Sequence, residues 1–169
     1  MITQPDNNEM ITNILINALK GENAHVNPLA TLEGLDLKVA GAKVKNSPYT
    51  IWQIIKHINY WQERFIARLK EEFVPPAQTA AEGWNFSPEP DSEIELKSEI
   101  KKFTDNVNET IGFCRNNQES MKNPRGRNYP TGFDVIQGMA SHISYHIGEI
   151  VFLRRILGSW PPPSGGDTW

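Results

Sequence analysis

Apolar residues recur at intervals of three and four along four long segments of the chain, and stretches rich in Gly and Pro separate these segments. The four apolar stripes are Ile11, Ile14, Leu15, Ala18 and Leu19; Ile51, Ile54, Ile55, Ile58, Trp61, Phe65 and Leu69; Leu96, Ile100, Phe103, Val107, Ile111 and Cys114; and Ile136, Met139, Ala140, Ile143, Ile147 and Ile150. This period is typical of amphipathic helices, and no useful stretch alternates with the period of a strand. The sequence therefore predicts an all-α fold, a four-helix bundle with long connections, as one domain over residues 1–169.

The connections around the second helix are predicted from turn-forming residues. Ser47 followed by Pro48 is typical of an N-cap with proline in the first helical position, and the prolines after Phe73 predict the end of this helix. The connection before it, 21–47, is predicted to contain a short helix. The connection after it, 74–91, is too polar and too rich in proline for a core element.

Capping patterns also mark the starts of the last two helices. Ser92 with Glu95 three residues later predicts a capping box at the third helix, and Thr131 with Asp134 predicts the start of the fourth. The fourth helix is predicted to end at 157–158, before a proline-rich tail.

Charge and cysteine content exclude several classes of protein. The net charge is -3, and the 17 Lys and Arg residues are scattered, which argues against binding to nucleic acid or an anionic membrane. The short basic stretch with Lys122, Arg125 and Arg127 is interpreted as a solvated loop, with contact to a phosphate or another anion as the alternative. The single cysteine, Cys114, lies on an apolar stripe and is predicted to be a buried small hydrophobe. With no export signal and no run of ~20 apolar residues, a cytoplasmic location is expected.

The histidines are the strongest candidates for chemistry. The chain has four, and His142 and His146 stand at i and i+4 of the fourth predicted helix, so that both side chains project from one face. His57 lies on the inward stripe of the second helix. Three imidazoles from two facing helices would suit zinc, nickel or iron, with positions left open for water or substrate. The alternative is three separate core histidines, each bonded to a backbone carbonyl or a water.

Three further residues are weaker candidates. Glu149 could orient a metal ligand or accept a proton, although a surface carboxylate paired with an arginine is the alternative. His25, in the first connection, could approach the mouth of the site as a fourth ligand or could be an ordinary loop residue. Trp84, in the long second connection, is predicted to be a packing residue.

Three stretches of the chain carry a family resemblance. SPYTIWQIIKHINYWQ, GWNFSPEP and SHISYHIGEIVFLRRILGSWPPPSGGDTW resemble the DinB superfamily, in particular its YfiT-like branch of metal-dependent hydrolases. The resemblance spans nearly the whole chain. It implies a four-helix bundle with a long crossover that holds one divalent metal near one end.

The resemblance also implies ligands and a range of activities. Carried over by position, His57, His142 and His146 are the metal ligands, which is the set that the periodicity selects. Members of the family include hydrolases and S-transferases that use a low-molecular-weight thiol, and they often form homodimers. Hydrolysis of a small-molecule substrate is expected here, with thiol transfer as the alternative. A non-catalytic metal-binding protein would have a sealed site, whereas an enzyme would have a cleft between the 21–47 and 74–91 connections.

Overall fold

Helices make up the regular structure of the part of the chain that the structure, a computed structural model, describes: residues 7–22, 24–126 and 129–166. The α-helices are α1 (Asn7–Lys20), α2 (Leu37–Ala40), α3 (Ile51–Leu69), α4 (Glu93–Asn116) and α5 (Gly132–Ile156), and the short 3-10 helices are Ala30–Leu32, Ala80–Trp84 and Ser120–Lys122. Within those ranges there is no strand, so the prediction of an all-α fold is confirmed. No helix of the described part is long and apolar enough to cross a membrane.

The four long helices share one buried apolar cluster. Helix α3 packs against both α4 and α5, and α1 packs against α5 and α4. The stripes predicted for α3, α4 and α5 face this interior, with Trp61 and Ile100 as the partly buried members. Leu96 is the exception, because it is buried in a second, small cluster with Ala40 and Trp52. The packing of α3 against α5 brings the two histidine-bearing helix faces together.

The predicted inward face of α1 is only partly correct. Leu15 and Leu19 are buried as expected, and Thr12 and Ile16 are buried as well. The other predicted members, Ile11, Ile14 and Ala18, are exposed, Ile14 by 59%. Apolar residues occupy more than one side of this helix, so two overlapping stripes fit its sequence equally well. Packing against α5 and α4 selects the one that contains Thr12 and Ile16.

Helix α3 is shorter at both ends than predicted. Its N-cap is Thr50, whose hydroxyl accepts the Gln53 N–H while the Gln53 side chain accepts the Thr50 N–H, so the prediction of a cap at Ser47 is wrong. The Ser47 hydroxyl is occupied locally, because it donates to the Tyr49 carbonyl at 2.7 Å. The helix ends at Leu69 rather than near residue 73.

Helix α4 begins where predicted, but the predicted capping box is only half formed. The Ser92 hydroxyl accepts the Glu95 N–H, as expected of an N-cap. The Glu95 carboxylate, however, accepts the N–H of Asp91 at 2.7 Å and does not close a capping box on Ser92. Cys114, near the other end of α4, is buried, and burial raises the pKa of its thiol to about 12, in agreement with the prediction of a small hydrophobe.

Helix α5 agrees with the prediction at both ends. Thr131 and Asp134 form the reciprocal capping box. Leu157 is the C-cap, and Gly158 follows with a φ of 68°, a left-handed conformation that glycine adopts without strain.

The loop between α4 and α5 is less solvated than predicted. Arg125 is only 4% exposed, because its guanidinium donates to the Ser120 carbonyl at 2.6 Å and pairs with Glu71 at 2.9 Å. Lys122 is exposed as expected. Arg127 lies outside the described residues.

Candidate metal centre

Three histidine rings meet where α3 packs against α5. His57 comes from α3, and His142 and His146 come from successive turns of α5. The ring centroids of His57 lie 5.1 Å from His142 and 4.6 Å from His146, and those of the two α5 histidines lie 4.6 Å apart. One ring nitrogen from each residue lies within 4.8 Å of the other two. The structure thus brings the three predicted ligands together.

The orientation of His57 is fixed from its outer side. Its Nδ1 lies 2.8 Å from the carbonyl oxygen of Gly83, and since a carbonyl only accepts, Nδ1 carries the hydrogen. In the neutral ring, Nε2 then holds a lone pair, and it lies 3.1 Å from Nε2 of His142. Either His142 donates its hydrogen across this gap, or both nitrogens offer lone pairs to one cation.

His146 is fixed in the same way by a carboxylate. Its Nδ1 lies 2.6 Å from Oε2 of Glu149, one turn further along α5. This contact leaves Nε2 of His146 for the centre. A hydrogen bond from the outer nitrogen of a histidine to a carboxylate or a carbonyl is the usual support of a metal-ligating imidazole. Of the two interpretations of Glu149, the geometry therefore favours the ligand-orienting one.

Burial keeps two of the rings neutral. His57 is 5% exposed, and burial is the main reason that its pKa falls to about 4. Burial also lowers the pKa of the partly exposed His142 to about 3, with the neighbouring His146 and His57 as smaller causes. At neutral pH both rings are therefore in the form that binds metals.

The donor set fits a divalent ion. Two nitrogens bound to one tetrahedral zinc at ~2.0–2.1 Å lie ~3.3 Å apart, close to the 3.1 Å between the Nε2 atoms of His57 and His142. Zinc, nickel and ferrous iron all accept imidazole ligands. His57, His142 and His146 can therefore hold one such ion.

A stack of aromatic rings covers the outer face of His57. The indole of Trp84 stacks on His57 with centroids 3.7 Å apart and an interplanar angle of 11°. Tyr49 stacks on the other face of Trp84 at 3.7 Å and 7°. The sequence predicts Trp84 as a packing residue and gives no signal for Tyr49. Their roles depend on how two connections fold back onto α3, which no periodic pattern encodes.

Gly83 is required by the close approach of this connection. A Cβ at position 83 would lie 2.9 Å from Nδ1 of His57 and 3.0 Å from Nε1 of Trp61. Only glycine lets the backbone come near enough for its carbonyl to reach the imidazole. The only sequence signal was a Gly-Trp pair within a polar connection, and its role depends on which residues of α3 it contacts.

Two cavities flank Tyr49, one against the 74–91 connection and one against the end of the 21–47 connection. One, of about 440 Å³, is lined by Tyr49, Trp84 and Glu82, among others. The second, of about 430 Å³, is lined by Tyr49, Ile54 and Glu149 together with residues 44–48. The three histidines line neither of these two cavities, so a ligand in the second would reach the centre only through Glu149.

His25 does not join the three histidines. Its Nε2 lies 2.6 Å from Oγ of Ser144, and its Nδ1 lies 2.8 Å from the carbonyl of Val26. Residues 142 and 144 differ by about 200° around a helix axis, so this contact lies on another side of α5. The hypothesis of His25 as a fourth ligand is not supported by this geometry.

Comparison with known proteins gives no relatives: the chain matches no protein-family model, no curated protein and no solved structure. The function therefore has to be argued from the site alone.

Proposed function

We propose that this chain is a divalent-metal-binding protein of the DinB type, with α1, α3, α4 and α5 as a four-helix bundle, and that it is a metal-dependent hydrolase of a small molecule. One observation carries the proposal. The outer nitrogens of His57 and His146 are bonded to the Gly83 carbonyl and the Glu149 carboxylate, so their inner nitrogens are left to meet His142. Three separate core histidines would not need to share one centre.

The residues around the centre would divide the work of binding an ion. His57, His142 and His146 would hold it, while the carbonyl of Gly83 and the carboxylate of Glu149 would keep two of the rings in place. When bound, a divalent ion with three nitrogen ligands acts as a Lewis acid and lowers the pKa of a coordinated water.

The aromatic rings would control the access of water. Trp84 shields the outer face of His57, and Trp61 and Phe65 lie near His142 with ring centroids at 6.2 Å. His142 is the least buried ligand, so a substrate would approach on its side. The cavity of about 430 Å³ that reaches Glu149 lies on the outer side of His146, so a small molecule bound there would act on the centre only through Glu149.

A non-catalytic metal-binding protein is the second candidate, and the enclosure of the site favours it. His57 and His146 are each 5% exposed, and a sealed site was the expectation for this class. The S-transferase alternative would add a low-molecular-weight thiol, for which the described residues supply no separate support. A homodimer stays part of the proposal, supported by the exposed side chains of Tyr145, Phe152 and Ile156 on α5.

Elemental analysis of the untagged protein tests the metal proposal. The parent is expected to carry about one equivalent of zinc, nickel or iron, and a variant with His57, His142 and His146 all changed to Ala is expected to carry none. Circular dichroism of both proteins checks that the variant is folded. A parent that stays free of metal after incubation with each ion would overturn the metal site.

Hydrolysis is tested on the loaded protein. A panel of small amides, which the ester site proposed below is not expected to cleave, is offered to the metal-loaded parent, to the chelator-treated parent and to the triple variant. Turnover by the loaded parent alone supports the hydrolase. Stoichiometric metal with no turnover by any of the three leaves the non-catalytic candidate.

A further inference from the structure

The pair formed by His25 and Ser144 has the geometry of a base and a nucleophile. A neutral His25 carries its hydrogen on Nδ1, because the Val26 carbonyl 2.8 Å away can only accept. Its Nε2 lone pair therefore accepts the hydroxyl hydrogen of Ser144 at 2.6 Å. A hydroxyl bonded to an imidazole that a third group orients is the arrangement that activates serine in acyl transfer.

The position of His25 is tightly defined by the backbone beside it. A Cβ on Gly21 would lie 2.6 Å from Cε1 and Nδ1 of His25, and Gly21 has a φ of 71°. Glycine at this position therefore both allows the turn after α1 and makes room for the ring. The imidazole is seated between this turn and α5.

Both residues line a cavity that no part of the proposed metal function uses. The cavity has a volume of about 650 Å³ and lies between α1 and α5. Its α1 wall is formed by Ile14, Leu15 and Ala18, which are apolar. Its volume and apolar wall suit a small ligand with a short aliphatic chain.

Hydrogen-bond donors stand beside the serine in the same cavity. Gln137 and Ser141, which precede Ser144 by about two helical turns and one, also line it. The Gln137 amide donates to the Ser141 hydroxyl at 3.0 Å, so that hydroxyl keeps its own hydrogen to donate. Such donors can stabilise the oxyanion that forms when a hydroxyl attacks a carbonyl.

We propose that Ser144 is a nucleophile activated by His25, and that this cavity is a second site, independent of the metal centre, that accepts esters of short aliphatic acids. Oγ of Ser144 bonds to the acyl carbon as its proton passes to Nε2 of His25. The alkoxide then leaves and takes that proton. Water next attacks the acyl carbon, gives a proton to His25, and the acid departs as Ser144 regains its hydrogen.

An alkyl fluorophosphonate tests the nucleophile directly. The serine oxygen bonds to phosphorus, fluoride leaves, and the adduct is located by peptide mass spectrometry on the full chain. Labelling of Ser144 is expected in the parent, and in His25→Gln it is expected to slow by about 100-fold. Ser144→Ala should lose the adduct. Ser98→Ala, which changes an exposed serine on α4, is the matched control and should label like the parent.

Turnover of p-nitrophenyl butyrate separates this site from the metal centre. Hydrolysis is expected to persist after chelation, with the fold checked by circular dichroism, and to be lost in Ser144→Ala. The proposal is overturned if Ser144 takes no adduct while a reference serine esterase is labelled, if His25→Gln labels as fast as the parent, or if chelation abolishes hydrolysis. The last result would assign the ester activity to the metal centre instead.

Discussion

Helix α3 buries polar side chains against both α4 and α5, and the two interfaces satisfy the hydrogen-bonding groups of these side chains in different ways. Towards α4, the Asn59 amide donates to the Glu99 carbonyl at 2.9 Å and to its carboxylate at 2.8 Å. One turn on, the Asn106 amide donates to the side-chain oxygen of Gln62 at 3.2 Å. We call these four residues the amide layer. Towards α5, His57 meets two other histidines instead.

The two interfaces differ in whether their buried polar groups find hydrogen-bond partners within the protein. In the amide layer, the amide donors of Asn59 and Asn106 meet acceptors on the facing helix, although Oδ1 of Asn59 and Nε2 of Gln62 have no partner among the described residues. In the metal centre, His57 and His146 spend their donor nitrogens on outer oxygens and turn their lone pairs inward. Buried acceptors that converge without an equal number of donors require a cation or a donated hydrogen. Burial of polar groups alone therefore does not identify a site, whereas an excess of converging acceptors does.

The largest expected effect is the loss of metal binding when one ligand is removed. A metal at 100 times its dissociation constant stabilises a folded protein by about 2.7 kcal/mol. We expect zinc or nickel to raise the melting temperature of the parent and to have no effect on His142→Ala, because two ligands cannot hold the ion as three do. Differential scanning calorimetry with and without metal measures the difference.

Gln62→Met is the matched control from the amide layer. It leaves the Asn106 amide without its acceptor and should cost about 1–3 kcal/mol of stability. The metal-induced rise in melting temperature should nevertheless remain. If Gln62→Met abolished that rise, or if His142→Ala kept it, the two interfaces would not differ in the way described.

The next effect concerns Glu149, the residue proposed to orient His146. Glu149→Gln removes the charge that faces Nδ1 of His146 at 2.6 Å. Loss of such a partner weakens metal affinity by about 10- to 100-fold. Isothermal titration of the metal-free protein measures the change, with Glu109→Gln, an exposed carboxylate on α4, as the control. An unchanged affinity in Glu149→Gln would return Glu149 to the class of surface carboxylates.

Periodic patterns predicted the three candidate ligands because all three lie on regular helices. The position of His57 on the α3 stripe and the i, i+4 spacing of His142 and His146 are enough to direct their side chains inward. The supports from the second connection, Gly83 and Trp84, could not be predicted in the same way. A connection of irregular backbone has no hydrophobic period, so its path across the helix ends is known only from the structure.

Local chemistry also explains the boundary errors. Ser47 before Pro48 satisfies the rule for an N-cap. Thr50, however, forms a reciprocal capping box with Gln53, and the helix therefore starts after Thr50. On α1, Ile14 and Ile16 are equally apolar, and only packing against other helices decides which of them is buried. Patterns thus predict that an element exists more reliably than they predict its ends or its orientation.

The smallest expected effect is the pH dependence of the amide layer. Burial on its own raises the pKa of the Glu99 carboxyl, but the hydrogen bond from Asn59 and the charges of Lys56 and Lys102 outweigh it, and the pKa lies below its usual 4.5. Both lysine nitrogens lie near Oε1, at 3.4 Å and 3.6 Å. As the pH falls, Glu99 is therefore protonated in the unfolded chain at a higher pH than in the folded chain. The stabilisation is complete above pH 4.5 and is lost as the pH falls through the folded pKa.

Glu99→Gln should remove this acid-sensitive part of the stability. The amide keeps the shape of the side chain but loses its charge, so we expect it to be less stable than the parent by about 1 kcal/mol at pH 7. That difference should shrink towards zero as the pH falls through the lowered pKa of Glu99. Urea unfolding at a series of pH values measures it, with Glu93→Gln, an exposed position on α4, as the control. A difference that stays constant with pH would mean that the ionisation of Glu99 does not stabilise the fold. Metal affinity should be unchanged in either case, because Glu99 faces α3 from the α4 side.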